Sequence, residues 1–581
     1  MQRRDGYHDH MPDRPVTRIL TRRQSAGRLL ERRPDLSVDR TQRRRARELA
    51  ASHGNRAGVV AVLAAWLEVN PDSDVRDLSL ALADRLQMRL VSVPARSRTE
   101  DVIVAARIDE AFELGWERLD DDGAAAILST VAVAGGAPVP RELALLATGL
   151  ADRVVDEVVQ TGFATLDDAG CLTVDGSTLT FLEQRRVLPG ERFERQLAFA
   201  FAVRDLAVTF PPGRTELDDL AEAAQGILMV LRQPMAAVSL CHRMAERLRR
   251  RSDLPGAMSW VEQGRARASE LGDAAAPLRG LLALDEACIV LGRDGPVAAL
   301  PACERAVALL SATHAAGAES ALQRARLLRA QLLASTRAEA PEEDLARLAD
   351  SLEGPARAVA LQTLGSAELR RGDRMAAREH LRQARTLVEG LGADETLAAL
   401  LVAEAQALHP VEERSAASAL LERARVLAGG DLDRPPTQTL PLALHELGLA
   451  AGERGDRESA ATLLDEASMM AGSVLPRAHP VRAATLYSRG LLFLAADEQR
   501  RAEKALDKAL QRWSAAYPPD HPVHALGAAA RAWVYARTGE LPAAEALGEL
   551  DQATSTLDTV RSIDPALLAQ LHALRADLTA R

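Results

Sequence analysis

From about residue 240 onward, alanines and leucines return in one spacing, A-x-x-x-L-x-x-A. The copies are Ala377/Leu381/Ala384, Ala417/Leu421/Ala424, Ala460/Leu464/Ala467 and Ala502/Leu506/Ala509, at steps of 40, 43 and 42 residues. Weaker copies begin at Ala257 and Ala299, and another lies near Ala544. Positions i, i+4 and i+7 share one face of a helix, so each copy predicts an amphipathic helix. A second pattern runs ahead of each copy. Leu361, Leu364 and Gly365 precede Gly372-Asp373; Leu444, Leu447 and Gly448 precede Gly455-Asp456; Leu486 and Gly490 precede Asp497; Ala532 and Tyr535 precede Gly539-Glu540. Small residues let two antiparallel helices approach closely, large aliphatics fill the space beside them, and a glycine at the turn accepts positive φ. Such a hairpin cannot bury its apolar face alone. Neighbours must stack, which predicts a solenoid.

These residues resemble the tetratricopeptide repeat (TPR). Both the L-x-x-L-G first helix and the A-x-x-x-L-x-x-A second helix are present at Leu361–Ala384 and Leu444–Ala467. The period of about 42, with Ala478-His479-Pro480 and Asp520-His521-Pro522 opening successive helices, is similar to the longer kinesin-light-chain type. The resemblance covers residues 236 to about 560, roughly eight repeats, and implies a right-handed superhelix with a concave groove. Residues 565–579 are expected to form a terminal capping helix.

The preceding third of the chain has a different rhythm. Residues 41–68 are expected to form one long helix or two, and Val75, Leu78, Leu82 and Leu86 mark another. Helices follow over about 102–119 and 121–134. Gly135–Pro138 breaks the pattern, Pro140 opens a new helix as a first-turn proline, and Ala151–Gln160 forms the next. Short apolar runs then alternate with Asp/Gly turns: Phe163–Leu166, Cys171–Val174 and Leu179–Leu182. That is a strand-and-hairpin signal. Three helices followed by a small hairpin predict a winged-helix module. The expected organisation is a mainly α protein: a helical segment over 1–104, a winged-helix-like module over 105–190, connecting helices over 191–235, and the TPR-like superhelix over 236–581.

This order resembles the back half of STAND-type signalling ATPases and TPR-bearing bacterial transcriptional regulators, in which a nucleotide-binding core precedes a helical lid, a winged helix and a repeat sensor. Residues Arg47–Trp66 are similar to the lid's helix pair, and Ile108–Ala134 to the entry of the winged helix. The departures carry as much information. A phosphate loop, G-x-x-x-x-G-K-[ST], needs a lysine beside a glycine-rich turn. The chain has no Gly-Lys dipeptide, and its only lysines are Lys504 and Lys508. Arg56 follows Gly54-Asn55 where the family's lid places a proline, and Thr180–Glu183 stands where its nucleotide-sensing histidine belongs. The chain is therefore expected to begin after the ATPase core and not to hydrolyse ATP, with no cofactor.

Composition narrows the partner class. Of 581 residues, 47% are hydrophobic and only 3% aromatic, so the core is built from Ala, Leu and Val. A net charge of −10 opposes a nucleic-acid surface across the whole chain. The first 47 residues are the exception, with 14 arginines against six acidic residues; they are expected to form a charged face on short helices, with a DNA-binding arm as the alternative. The would-be recognition helix of the winged module carries Asp152, Asp156 and Glu157 against Arg153, which opposes phosphate contact. Four cysteines without a C-x-x-C pair, no apolar leader and no long apolar run predict a reduced, cytoplasmic protein without a membrane span.

Enzymatic constellations are not expected. His8-Asp9-His10, His521/His524 and Cys241-His242 lack a metal-ligand context, and the acidic clusters at Asp120–Asp122 and Glu342–Asp344 suit helix starts. No catalytic or metal residue is assigned. What the repeat resemblance leaves is a groove lined by first-helix positions: Gln362, Ser366 and Arg370; His445, Leu449 and Glu453; Tyr487, Leu491 and Leu494. The expected function is a non-catalytic scaffold or sensor of a degenerate or split STAND regulator. It would hold a protein or peptide in that groove and thereby alter how the N-terminal module docks. Two alternatives stand beside it: a transcriptional regulator using the winged helix or the Arg-rich arm on DNA, and a regulatory subunit for an ATPase or effector on another chain.

Overall fold

The computed structural model describes residues 17–119, 122–185, 189–211, 213–313, 318–336, 342–408, 412–430, 436–475, 477, 479–517, 521, 523–558, 572, 573, 575, 576 and 579. His8 and His10, Asp120 and Asp121, and most of the expected capping helix over 565–579 lie outside them. The described residues are overwhelmingly helical, with one small sheet, and they divide into two compact units, Met1–Leu271 and Gly272–Arg581.

The first unit begins with helices Arg22–Leu29, Arg40–Ser52, Ala57–Val69 and Val75–Val91. Of the one or two helices expected over 41–68, the chain forms two, because Gly54 (φ 70°) and Asn55 (φ 52°) turn the chain between them. Helix Ala57–Val69 is apolar on nearly every side and is buried accordingly, from Ala57 through Leu67. It packs into the following module, helices Glu100–Trp116, Asp122–Val133, Arg141–Thr148 and Asp152–Gln160. The contact is intimate: a Cβ added at Gly162, which sits at φ +79°, would lie 2.5 Å from the carbonyl oxygen of Ala61. Phe112, Trp116, Phe163 and Phe181 form the centre of this module, with ring centroids 5.0–6.1 Å apart.

The sheet has three short antiparallel strands, β1 (Val139–Pro140), β2 (Thr165–Leu166) and β3 (Cys171–Thr173), in the order β1-β3-β2. Val139 lies opposite Leu172, and Thr165 opposite Thr173. Two expectations are corrected here. Leu179–Leu182 is part of helix Gly176–Arg185, because Asp175 caps that helix by accepting from the Ser177 amide at 2.9 Å; the Asp-Gly pair begins a helix where a turn was expected. Pro140 closes β1 and stands just before helix Arg141–Thr148. Helices Pro189–Leu206, Glu216–Val230, Pro234–Arg250 and Leu254–Glu270 complete the unit. Arg247, 2% exposed, ties them together: it donates to the Phe210 carbonyl at 2.8 Å and the Asp218 carboxylate at 2.8 Å, and also to the Pro211 and Arg214 carbonyls.

The second unit is an array of antiparallel helix pairs, a TPR-like α-solenoid. Three well-described pairs are Gly354–Arg371 with Arg374–Val388, Leu440–Glu453 with Arg457–Val474, and Pro480–Ala495 with Gln499–Ala516. The periodic residues are the ones that disappear from solvent: Ala377, Leu381, Ala384, Ala460, Leu464, Ala467, Ala502, Leu506 and Ala509 are all 0–1% exposed. Cys303 fills the leucine position of the copy starting at Ala299 and is likewise at 0%. In the last pair the register is Ala546/Leu550/Ala553. The small residue of each first helix faces the large one of the second. A Cβ at Gly365, Gly448 or Gly490 would stand 2.8, 2.9 or 2.8 Å from Leu381, Leu464 or Leu506. Asp373 and Asp456 follow their turn glycines as N-caps. His479 and His521 cap in a parallel way, their Nδ1 atoms each accepting from the amide two residues on at 3.3 Å.

Candidate functional site

The repeat equivalences anchored on Gly365, Gly448 and Gly490 place the nine expected groove residues. Gln362, Ser366 and Arg370 on helix Gly354–Arg371 are all half-buried. On helix Leu440–Glu453, Leu449 is half-buried and Glu453 exposed, but His445 is only 6% exposed. Its Nε2 lies 3.0 Å from the Ser488 hydroxyl of the next hairpin, so it works as a strut between repeats. Tyr487 (4% exposed) packs on Trp513 with centroids 5.1 Å apart, and Leu494 (4%) belongs to the same core. Leu491 is half-buried against it. His445, Tyr487 and Leu494 are thus corrected to packing residues. For Leu494 the cause is register: the position equivalent to Arg370 and Glu453 is Ala495, which is exposed.

Among the residues that remain, Arg370 has an unusual environment. Its Nη2 is buried without a hydrogen-bond partner, and burial lowers the guanidinium's hold on its proton. The Tyr517 phenol, at the end of the hairpin that starts at Pro480, and the Glu342 carboxylate are the titratable groups that act on it. Burial pushes the Tyr517 phenol up to about 12, and its ring stacks on His521 with centroids 4.1 Å apart.

A second feature escaped the sequence reading. A cavity of about 390 Å³ opens between helix Arg457–Val474 and the helix pair of Pro480–Ala516. It exists because Arg489 stands where the other two hairpins have the core leucines Leu364 and Leu447. The arginine cannot be buried cheaply and turns outward, pairing with Asp465 at 2.6 Å while its Nε stays buried and unpartnered. Phe493, at the next turn, has Arg501 over one face at 4.2 Å and Arg489 at 5.8 Å. Arg501 also meets Glu498 at 2.5 Å, whereas Arg457 and Glu458 line the rim without an ion pair. The cavity therefore offers an aromatic floor with charges of both signs. Arginine in place of an aligned leucine was the signal that could have located it.

Among the described residues, no three His, Cys, Asp or Glu side chains gather as a metal-ligand set, and no helix is long and apolar enough to cross a membrane. Cys171, Cys241 and Cys303 are buried thiols whose pKa values burial raises, Cys303 to about 12, which disfavours the reactive thiolate.

No protein-family model matches the sequence, and no curated protein is similar to it. Solved structures similar in fold include a STAND protein with a tetratricopeptide-repeat sensor from Pyrococcus horikoshii (11% identity, 97% of this chain and 69% of that one, TM-score 0.33). They also include the quorum sensor NprR from B. thuringiensis (13%, 57% and 90%, 0.43) and a kinesin light chain of TPR-like repeats from Podosopora anserina (21%, 36% and 98%, 0.27).

Proposed function

We propose that this chain is a non-catalytic interaction scaffold or sensor, of the degenerate or split STAND type, whose helix-pair array holds a protein or peptide. The reading rests on one observation. Gln362, Ser366, Arg370, Leu449, Glu453 and Leu491 stay at least partly exposed on first helices, while the residues around them are consumed by packing. A surface alternating apolar, polar and charged groups, with an unsatisfied guanidinium N–H at Arg370, suits an extended or helical peptide carrying an acidic group. Within the same reading, the helix–strand–helix–helix–hairpin order of residues 122–173, preceded by helix Glu100–Trp116, is that of a winged helix serving as a structural module. The would-be recognition helix Asp152–Gln160 carries Arg153 as its one cation against Asp152, Asp156 and Glu157, and Arg141 of the preceding helix is engaged with Asp152 and Asp156, which offers little to a phosphate backbone.

The test is selection of a displayed random-peptide library on the full chain, followed by calorimetry on the enriched peptides. Leu449→Glu and Arg370→Glu are each expected to weaken binding at least tenfold. Peptides that bind both variants as well as the parent would refute the groove. A calorimetric titration with ATP is expected to be silent; a micromolar response would replace the scaffold by a nucleotide-driven switch.

A further inference from the structure

We propose that the two helices Arg22–Leu29 and Arg40–Ser52 form a phosphate-binding surface for double-stranded nucleic acid, engaged without regard to sequence. Residues 18–52 hold eleven arginines and four acidic residues in a chain whose net charge is −10. Helix Arg40–Ser52 buries Gln42, Ala46, Leu49 and Ala50, and this puts Arg40, Arg43, Arg44 and Arg47 on the opposite, exposed face, at the i, i+3, i+4, i+7 spacing of a single stripe. Helix Arg22–Leu29 packs beside it, burying Ser25, Ala26 and Leu29 and exposing Arg22, Arg23 and Arg28.

Elsewhere in the first unit, several arginines are neutralised by carboxylates, although others, such as Arg76 and Arg153, are not. Arg85 and Arg89 meet Glu110, Arg141 meets Asp152, Arg214 meets Glu216, and Arg247 and Arg251 share Asp218. Among the described residues, the arginines of this surface with carboxylate partners are Arg32, Arg33, Arg44 and Arg45. Arg18, Arg22, Arg23, Arg28, Arg40, Arg43 and Arg47 have none, and of the two unpaired acids Asp39 is occupied in capping the Thr41 amide at 2.7 Å. The placement also works against the helices. Neither has an acidic residue in its first turn, and both have arginines there, where the positive end of the helix dipole disfavours cations. The Asp39 cap and the Thr21 capping box offset part of this at the helix starts, but Arg40, Arg43 and Arg47 stay without carboxylate partners among the described residues, which suits a surface that meets something outside the fold.

A polyanion supplies the missing charge, and the observations favour a duplex among polyanions. Both helices have already spent their apolar faces inside the protein, so neither can insert into a membrane surface. Apolar side chains that could anchor a protein interface are sparse here; Ile19 and Val38 are the exposed large ones. Guanidinium forks at one-turn intervals match a backbone of closely spaced phosphates. Neither glutamine of the two helices is free to read an adenine edge, since Gln24 is engaged in its own helix cap and Gln42 is buried, and a repeated stripe of arginines suits phosphates along any sequence, so binding is taken as independent of sequence.

Fluorescence anisotropy of the full chain with two labelled 20-base-pair duplexes of unrelated sequence tests this. Equal affinity for both is expected, with log K falling against log salt at a slope of about −4 to −5. The triple variant Arg40→Ala/Arg43→Ala/Arg47→Ala should bind at least tenfold more weakly at low salt and reduce the slope by about 3. The substitutions lie on an exposed helix face, so far-UV circular dichroism should be unchanged; if it is not, Arg22→Ala/Arg23→Ala/Arg28→Ala makes the same test on the neighbouring helix. No binding at low salt, an unaltered slope in a folded variant, or equal competition by poly-glutamate or phosphatidylserine vesicles would overturn the proposal.

Discussion

Two glycines of helix Leu440–Glu453, four residues apart, should respond in opposite directions to the same substitution. Gly452 faces outward, and a Cβ there would meet only the Ala460 Cβ, at 3.9 Å, an ordinary contact. Gly452→Ala therefore adds helix propensity alone, about 0.5 kcal/mol near a helix end. Gly448 gains a similar propensity of up to about 1 kcal/mol, but its Cβ would lie 2.9 and 3.0 Å from the Cγ and Cδ2 of Leu464. Leu464 is 1% exposed and the Ala460 behind it 0%, so the leucine can give way only toward the cavity it helps to line, at a cost in its own packing. Overpacking of a full core costs about 1–3 kcal/mol, and the net for Gly448→Ala is a loss of about 0.5–2 kcal/mol. A global unfolding midpoint would blur this across repeats. Hydrogen exchange read on peptides from residues 440–474 localises it, because a tenfold rate change is about 1.4 kcal/mol of opening free energy. Amides there should exchange about twofold more slowly in Gly452→Ala and roughly 2- to 30-fold faster in Gly448→Ala. Slower exchange in both would show that the two helices do not meet at Gly448, and the packing logic of the array would fail with it.

Arg489→Leu restores the leucine of the aligned hairpins. It should leave stability within about 1 kcal/mol, since the abandoned Asp465 is largely exposed, while filling the cavity, so that any ligand stacking on Phe493 is lost; calorimetry with the parent's ligand checks this. Arg247→Met should destabilise the first unit by about 2–4 kcal/mol, because it leaves the Phe210, Pro211 and Arg214 carbonyls without their donor while Asp218 keeps only Arg251; chemical denaturation followed by tryptophan emission measures it. His479 is held down to about 4 by burial, with Arg482 adding repulsion. Its folded pKa lies below the unfolded value of about 6.5, so stability is complete above that value and declines as pH falls toward 4, by up to about 2 kcal/mol after allowing for partial exposure. His479→Asn, which keeps a helix cap, should flatten that segment of the pH profile.

The array was legible because its code is redundant. The A-x-x-x-L-x-x-A copies mark buried faces, and the Gly-Asp pairs mark a turn followed by a capped helix; Gly372 and Gly455 both sit at positive φ. The groove was less legible because exposure is set by what lies across from a residue, which period alone does not encode. Tyr487 and His445 share a register position with Gln362, yet Trp513 and Ser488 close over them. The cavity at Arg489 was less legible because it arises where one repeat departs from the pattern that the others share. In the first unit, two-residue β1 is too short to leave a periodic trace, and Asp175-Gly176 carries the same letters whether it ends a hairpin or caps a helix.

The scarcity of lysine acquires a practical meaning in three dimensions. Lys504 and Lys508 lie one turn apart on the exposed side of helix Gln499–Ala516. Apart from the α-amino group, acylating reagents that seek primary amines will find this single spot on the whole polypeptide. A dye, a biotin or a chip surface attached through it would hold every molecule in the same orientation and leave the arginine-bearing helices near the other terminus chemically untouched.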